Sequence, residues 1–226
     1  MASVVDICNL SLSHLGDDAT VASIDPPEGS SQAEHCARFY PIARDHLLSI
    51  HPWNFASRRV SLASLTMPYT MWAYSYSVPS DLMTSIAVLP PEAENDYSVR
   101  AYPADQQGWG WINAPFVAAG MYAPQEYVME TDTLGNKVIY TNQESALLRY
   151  QARVTDSSQF DPVFMIALSW QLASFLAGPI VKGEEGAKQA QRCLQMAAVY
   201  LSQAKTADAG QRNVRPEHIT PWVSGR

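Results

Sequence analysis

The feature that most constrains this chain is Pro52, which stands directly after a helical stripe and directly before two large aromatics in CARFYPIARDHLLSIHPWNFASRR, residues 36–59. Ala33, Cys36, Ala37, Tyr40, Ala43, Leu47 and Leu48 recur at three- and four-residue steps, so one stripe of a helix faces a core and polar residues take the other side. Pro52 disfavours helical geometry at His51, so the helix must end there. Trp53 and Phe55 then anchor the exit with large apolar area, and Pro52, Trp53 and Phe55 are expected to form a structural junction between the helix and the strands that follow. Pro41 lacks a donor and clashes with the Ala37 carbonyl, which predicts a kink in mid-helix.

Before this corner, Ser3 and Asp6 read as a capping box for a short helix carrying Val4, Ile7, Cys8, Ser11, Leu12 and Leu15, closed by Gly16. A turn-rich loop follows, in which Val21 and Ile24 tuck under and Pro26-Pro27 stiffens the path. Ser31 with Glu34 reads as a second capping box, and Glu34 with Arg38 as an i,i+4 ion pair.

After the corner the period changes to two and breakers multiply, which predicts strands over about Arg58–Leu65, Met71–Val78, Met83–Leu89, Glu126–Glu130, Lys137–Thr141 and Leu147–Val154. Gly135-Asn136 suits a hairpin turn at positive φ. Asp161-Pro162 then opens a strongly apolar helix, with a break expected at Gly178-Pro179. A last helix over Glu184–Ala207 carries a stripe of Ala187, Ala190, Leu194, Ala197, Leu201 and Ala204. The expected fold class is therefore α+β. Residues 1–55 and 156–209 give the helices of one bundle, residues 56–155 an antiparallel β sandwich or barrel, and residues 210–226 an extended tail.

The chain has 226 residues, of which 47% are hydrophobic and 16% charged, enough for a buried core. Its net charge of −7 argues against a protein that grips nucleic-acid phosphates. Cys8, Cys36 and Cys193 are too few for a disulfide framework or zinc knuckle and fit a reducing cytosol, and MASVVDICNL carries no export signal. The uncharged run from Pro162 to Val181 has bilayer-spanning length, but Gln171 and the Gly178-Pro179 break favour a buried helix and no membrane.

No nucleophile elbow, zinc-spaced ligand set, phosphate loop or dinucleotide fingerprint occurs, so neither catalysis nor a metal or other cofactor is indicated. His14, His35, His46, His51 and His218 read as scattered surface or cap residues, and Arg44 and Asp45 as ion-pair partners within or between subunits. Between Tyr97 and Tyr122, Trp109, Trp111 and Phe116 stand among glycines. We read them as a subunit or tail interface, with a carbohydrate-binding surface as the alternative.

Cys36, Tyr40, Arg44-Asp45, Pro52-Trp53-Asn54-Phe55-Ala56 and Arg58-Arg59, with Leu15-Gly16 and Ser30-Ser31 before them, resemble the head-to-tail adaptor proteins of tailed phages. Tyr76-Ser77-Val78-Pro79-Ser80-Asp81-Leu82 and Leu172-Ala173-Ser174-Phe175-Leu176-Ala177 are similar to later motifs of that family, with Met83 standing where Arg is expected. The resemblance implies a structural protein of the virion neck, assembled in the host cytoplasm. It would form a homo-oligomeric ring of twelve copies that docks under the portal, continues the DNA channel without binding DNA specifically, and receives the next tail protein. It also implies that the tail contacts the portal, with Arg212, Arg215, Ile219 and Trp222 as the contacting residues.

Overall fold

The computed structural model describes residues 3–18, 20–66, 71–91 and 125–211. The aromatic stretch with Trp109, Trp111 and Phe116, and the tail residues Arg212, Arg215, Ile219 and Trp222, lie outside these described residues. The chain is mixed α and β and divides into two compact units. One comprises residues up to Ser57 together with Gln151–Gln211, and the other includes Arg58–Tyr150.

The first unit holds four helices, α1 (Val4–His14), α2 (Ser31–Ile50), α3 (Pro162–Val181) and α4 (Gly183–Gly210). Both arms of the Ser3–Asp6 capping box are made, at 3.1 Å to the Asp6 N–H and 2.7 Å from the Ser3 N–H. Gly16 closes α1 at φ +76°, a conformation costly for any residue with a Cβ, while the Asp17 N–H donates back to the Leu12 carbonyl at 3.2 Å. The start of α2 differs from expectation by one residue. Ser30 is the cap, accepting from the Ala33 N–H at 3.2 Å, so Glu34 falls one position too far along to complete a box. Among the described residues Glu34 and Arg38 make no ion pair with each other. The helix runs unbroken through the exposed Pro41, and it ends at His51 in extended geometry, φ −145° and ψ 142°.

Helix α3 is the centre of this unit, because α1, α2 and α4 each pack on it. Phe164, Ala167, Leu168, Leu172, Ala173, Leu176 and Ala177 are all fully buried, which explains an apolar composition on every side. Its mean hydropathy of 1.6 and its length meet the requirement for crossing a bilayer, and half of that window is buried inside the chain. The break expected at Gly178-Pro179 does not occur. The residue before a proline is barred from helix largely by its own Cβ, and Gly178 has none. The turn falls instead at Lys182, φ 59° and ψ 165°, and Gly183, φ 65°.

The stripe expected on α4 is kept in part, at the buried Ala197 and Ala204 and the half-buried Ala190 and Leu201. Gly186, Cys193, Ala197, Ala204 and Asp208 are buried, whereas Ala187 is exposed and Leu194 is 52% exposed. The cause is a close crossing at Gly186, where an added Cβ would lie 3.0 Å from the Ala177 carbonyl oxygen, so the smallest residue faces α3 in place of the larger ones beside it.

The second unit contains seven strands among the described residues: β1 (Ser57–Ser61), β2 (Ser64–Leu65), β3 (Tyr74–Ser77), β4 (Leu82–Leu89), β5 (Tyr127–Thr131), β6 (Lys137–Thr141) and β7 (Leu147–Ala152), the outer ends of β1 and β7 reaching into the first unit. They form two antiparallel sheets, ordered β1-β7-β4 and β2-β3-β6-β5. The single strand expected over Arg58–Leu65 is split because the chain changes sheet at Leu62-Ala63. The Leu62 N–H donates to the Ala146 carbonyl, and the Ala63 carbonyl accepts from Ser77, both at 2.9 Å. In the second sheet Ile139 of β6 is fully buried between Tyr76 of β3 and Met129 of β5 in register. The β5–β6 turn takes positive φ at Gly135 alone, and Asp132 organises it by accepting from the Leu134 and Asn136 N–H groups, both at 2.8 Å. Backbone donors from Asn136 foremost hold the Asp132 carboxyl below the usual carboxylate range.

Two substitutions in the α3–α4 turn should move stability in opposite directions. Gly186→Val should lower it by about 2 kcal/mol through overpacking against Ala177, and Lys182→Gly should raise it by about 1 kcal/mol by relieving a conformation suited to glycine. Urea denaturation of both variants checks this, and equal midpoints would contradict the close crossing.

Candidate functional site

The corner predicted at Pro52 is held by ring contacts and hydrogen bonds. Trp53 is fully buried, and its indole N–H donates to the Leu47 carbonyl at 2.9 Å, turning the chain back onto the last turns of α2. Its ring meets Phe164 of α3 edge-on at 4.9 Å between centroids, and Phe55, half-buried in a 3₁₀ turn over Asn54–Ala56, meets Phe164 at 5.1 Å and Phe160 at 5.8 Å. Trp53 and Phe55 of the expected junction are thus brought together, 5.8 Å apart, and among the described residues the rings they touch belong to the helical unit.

The residue that closes this corner is Asp208, which the sequence reading missed. It is 1% exposed, near the end of α4. Its Oδ1 accepts from the Asn54 backbone N–H at 2.8 Å, its Oδ2 pairs with His51 Nε2 at 3.0 Å, and its carbonyl accepts from the Asn54 side chain at 2.7 Å. A buried carboxylate is tolerated because each oxygen has a partner. Three residues after it, Gln211 donates to the Asp161 carboxylate at 3.1 Å, so Asp161 opens α3 by position and gives its side chain to the end of α4.

Arg44 and Asp45 form the anticipated ion pair within the chain at 2.8 Å, and Asp45 takes a second arginine, Arg153, at 3.1 Å. Arg44 is 9% exposed, with its guanidinium 6.0 Å from the Tyr40 ring centre, and burial raises the Tyr40 hydroxyl to about 12. In the second unit Arg58 of β1 pairs with Asp81 at 2.8 Å, and the Tyr150 hydroxyl of β7 donates to the same carboxylate at 3.0 Å. Burial, followed by that carboxylate, raises the Tyr150 hydroxyl.

Two histidines expected to be scattered are engaged. His51 belongs to the Asp208 clasp, and His14 lies flat on Trp170 at 3.6 Å with Nε2 3.1 Å from the Ser169 hydroxyl. Burial holds His14 below the ordinary imidazole range. No group of three His, Cys, Asp or Glu side chains able to hold a metal ion occurs among the described residues. No protein-family model and no curated protein matches the chain. The chemistry of the corner is that of a structural clasp: its polar groups are consumed by one another, and its carboxylate is withdrawn from solvent.

Two measurements test this site. Asp208→Ala should cost about 2–4 kcal/mol, because it strands the Asn54 N–H, and Trp53→Ala about 3–5 kcal/mol; wild-type denaturation curves would show that the corner closes without them. The pH dependence follows from His14. Its folded value lies below the unfolded value of about 6.5, so the unfolded chain binds more protons and stability falls as pH drops through about 6.5 towards the lower folded value. In His14→Gln that part of the acid loss should disappear, which thermal melts at pH steps from about 7 to about 5 will read.

Proposed function

We propose that this chain is a head-to-tail adaptor of a tailed phage, a structural protein without catalytic activity. Twelve copies form a ring under the portal, continue the DNA channel and attach the next tail protein. In this reading the four helices form one bundle and the two sheets form a sandwich or barrel. The observation that carries it is the use made of the residues on which the resemblance rests. Pro52 ends α2, Trp53 and Phe55 fill the aromatic cluster, Asn54 takes Asp208, and Arg58 meets Asp81 from a motif more than twenty residues later. Each of those positions is used in a contact within its own unit, which supports the reading.

Two further properties support the reading. Ile42 on α2 and Leu194 and Val199 on α4 are each at least half exposed, apolar area of the kind that neighbouring subunits cover. The net charge of −7 suits a channel through which DNA slides without phosphate grips. The carbohydrate-binding alternative rests on residues 97–122, outside the described residues, and no observation favours it.

Imaging of the purified chain with and without portal tests the assignment. Rings of twelve-fold symmetry that cap the portal are expected, and Leu194→Glu should abolish rings while leaving the helical circular dichroism intact. A chain ending at Gly210, or carrying Trp222→Ala, should form rings that dock weakly. A monomer indifferent to portal would overturn the proposal.

A further inference from the structure

The ion pair at Arg44 holds more positive charge than its one carboxylate can neutralise. Asp45 Oδ1 lies 2.9 Å from Arg44 Nε and 2.8 Å from Arg44 Nη2, and Asp45 Oδ2 lies 3.1 Å from Arg153 Nε. Both carboxylate oxygens are engaged, and two guanidiniums share one negative charge. Nη1 of Arg44 and both Nη atoms of Arg153 meet no partner among the described residues. Arg153 turns those donors to solvent, its side chain being 52% exposed. Arg44 has little of that recourse, because its side chain is 10% exposed.

Two neighbours are in the same position. Tyr40, one turn before Arg44 on α2 and with its ring centre 6.0 Å from the guanidinium carbon, is 3% exposed, and its hydroxyl has no hydrogen-bond partner among the described residues. Gln151 is 1% exposed, and neither its amide nitrogen nor its amide oxygen has a partner there. It stands two residues before Arg153 at the end of β7, where alternate residues share a face. All of these residues belong to the helical unit. Buried polar groups in folded chains are nearly always bonded, so orphaned donors beside surplus positive charge call for an acceptor from outside the chain.

We propose that Arg44, Arg153, Tyr40 and Gln151 form a binding site for an oxyanion, a carboxylate or phosphate group. Its oxygens accept from the free Nη groups in the forked geometry that guanidinium and oxyanion share, and from the Tyr40 hydroxyl and the Gln151 amide nitrogen. Its charge offsets the guanidinium that Asp45 leaves over, which a neutral ligand would not do. The Gln151 amide oxygen needs a donor, and a phosphate O–H or a water bound with the anion supplies it. By exposure, Arg153 is the mouth of the site and Arg44 its floor. Two sources offer this chemistry, a free oxyanion and an acidic side chain of a second copy, since the chain carries 22 Asp and Glu against 15 Lys and Arg. The inference stands independently of the adaptor assignment.

The test uses the full chain in a chloride buffer to which sodium phosphate is added. By isothermal titration calorimetry wild type should bind phosphate at one saturable site. Arg153→Gln removes the surplus charge, leaves the Arg44–Asp45 pair in place and should bind about tenfold more weakly. Phosphate also stabilises proteins in general, so melting temperatures are compared with the variant's at equal phosphate. Tyr40→Phe keeps the ring and loses only the hydroxyl, so its effect should change sign. Without phosphate it should melt at or above wild type, because an orphaned group is gone, and with saturating phosphate below it. Sedimentation velocity separates the sources. Self-association that phosphate reverses and Arg153→Gln lacks assigns the site to a second copy's acidic side chain, and sedimentation indifferent to phosphate assigns it to a free oxyanion. Equal phosphate binding by wild type and Arg153→Gln, binding that never saturates, or a Tyr40→Phe difference unmoved by phosphate would each overturn the proposal. Should Tyr40→Phe fail to fold, the calorimetric comparison decides alone, because Arg153 is half exposed and its loss leaves the core intact.

Discussion

A carboxylate taken out of water must be met by donors on both oxygens, and in the helical unit that requirement is satisfied by a corner more than 150 residues away along the chain. Asp208 is held by the backbone of Asn54 and by the His51 imidazole, and its own carbonyl takes the Asn54 amide. These bonds exist only because α2 stops where it does. Were His51 helical, the Asn54 N–H would be directed at a carbonyl of its own helix, so Pro52 creates the donor that Asp208 consumes. The two ends of the unit, one from each side of the β insertion, are thereby closed on each other by polar contacts as well as by the aromatic rings of Trp53 and Phe164. Removing either partner leaves a buried polar group with nothing to bond, which is costlier than losing an exposed hydrogen bond.

How much of this was legible depended on whether the information was local. The Ser3–Asp6 box, the Gly16 stop and the end of α2 at His51 are decided within a few residues, and each is written in the chain. The part of the α4 stripe that departs from expectation is not, because it depends on how closely α3 approaches, which is tightest at Gly186. The continuity of α3 through Pro179 was legible in principle, since glycine is the residue that tolerates a following proline in a helix. Asp208 also left a signal. An acid in the last turn of a helix faces the negative end of the macrodipole, and this one continues the buried register of Ala197 and Ala204, so its presence there called for a tertiary partner. The aromatic stretch and the tail carry no helical or strand period from which to read them, and both lie outside the described residues.

Helix α3 shows why composition alone is ambiguous. A helix surrounded by three others and a helix surrounded by lipid both need apolar residues on every side, and mean hydropathy does not separate them. Beyond its apolar composition, α3 carries detail that follows from the helices packed on it. Ala167, Ala173 and Ala177 are small and fully buried, the Ser169 hydroxyl is met by His14, and α4 passes so near the Ala177 carbonyl that a Cβ at Gly186 would lie 3.0 Å from its oxygen. These are marks of helix-on-helix packing, in which shape as well as apolarity is specified.

The chain between the two units obeys the same logic at both of its ends. On the helical side Asn54 is fixed by Asp208, and on the strand side Arg58 is fixed by Asp81. The two carboxylates differ in kind. Asp208 is withdrawn from water and its bonds are strong in that setting, whereas the Arg58–Asp81 pair is nearly half exposed on the arginine and contributes little by itself. Asp81 gains importance from its second partner, because the Tyr150 hydroxyl reaches it from a nearly buried position on β7 and ties the turn before β4 to the central strand of that sheet. Each unit therefore grips its own end of the crossing segment with an acid that its own fold has already positioned.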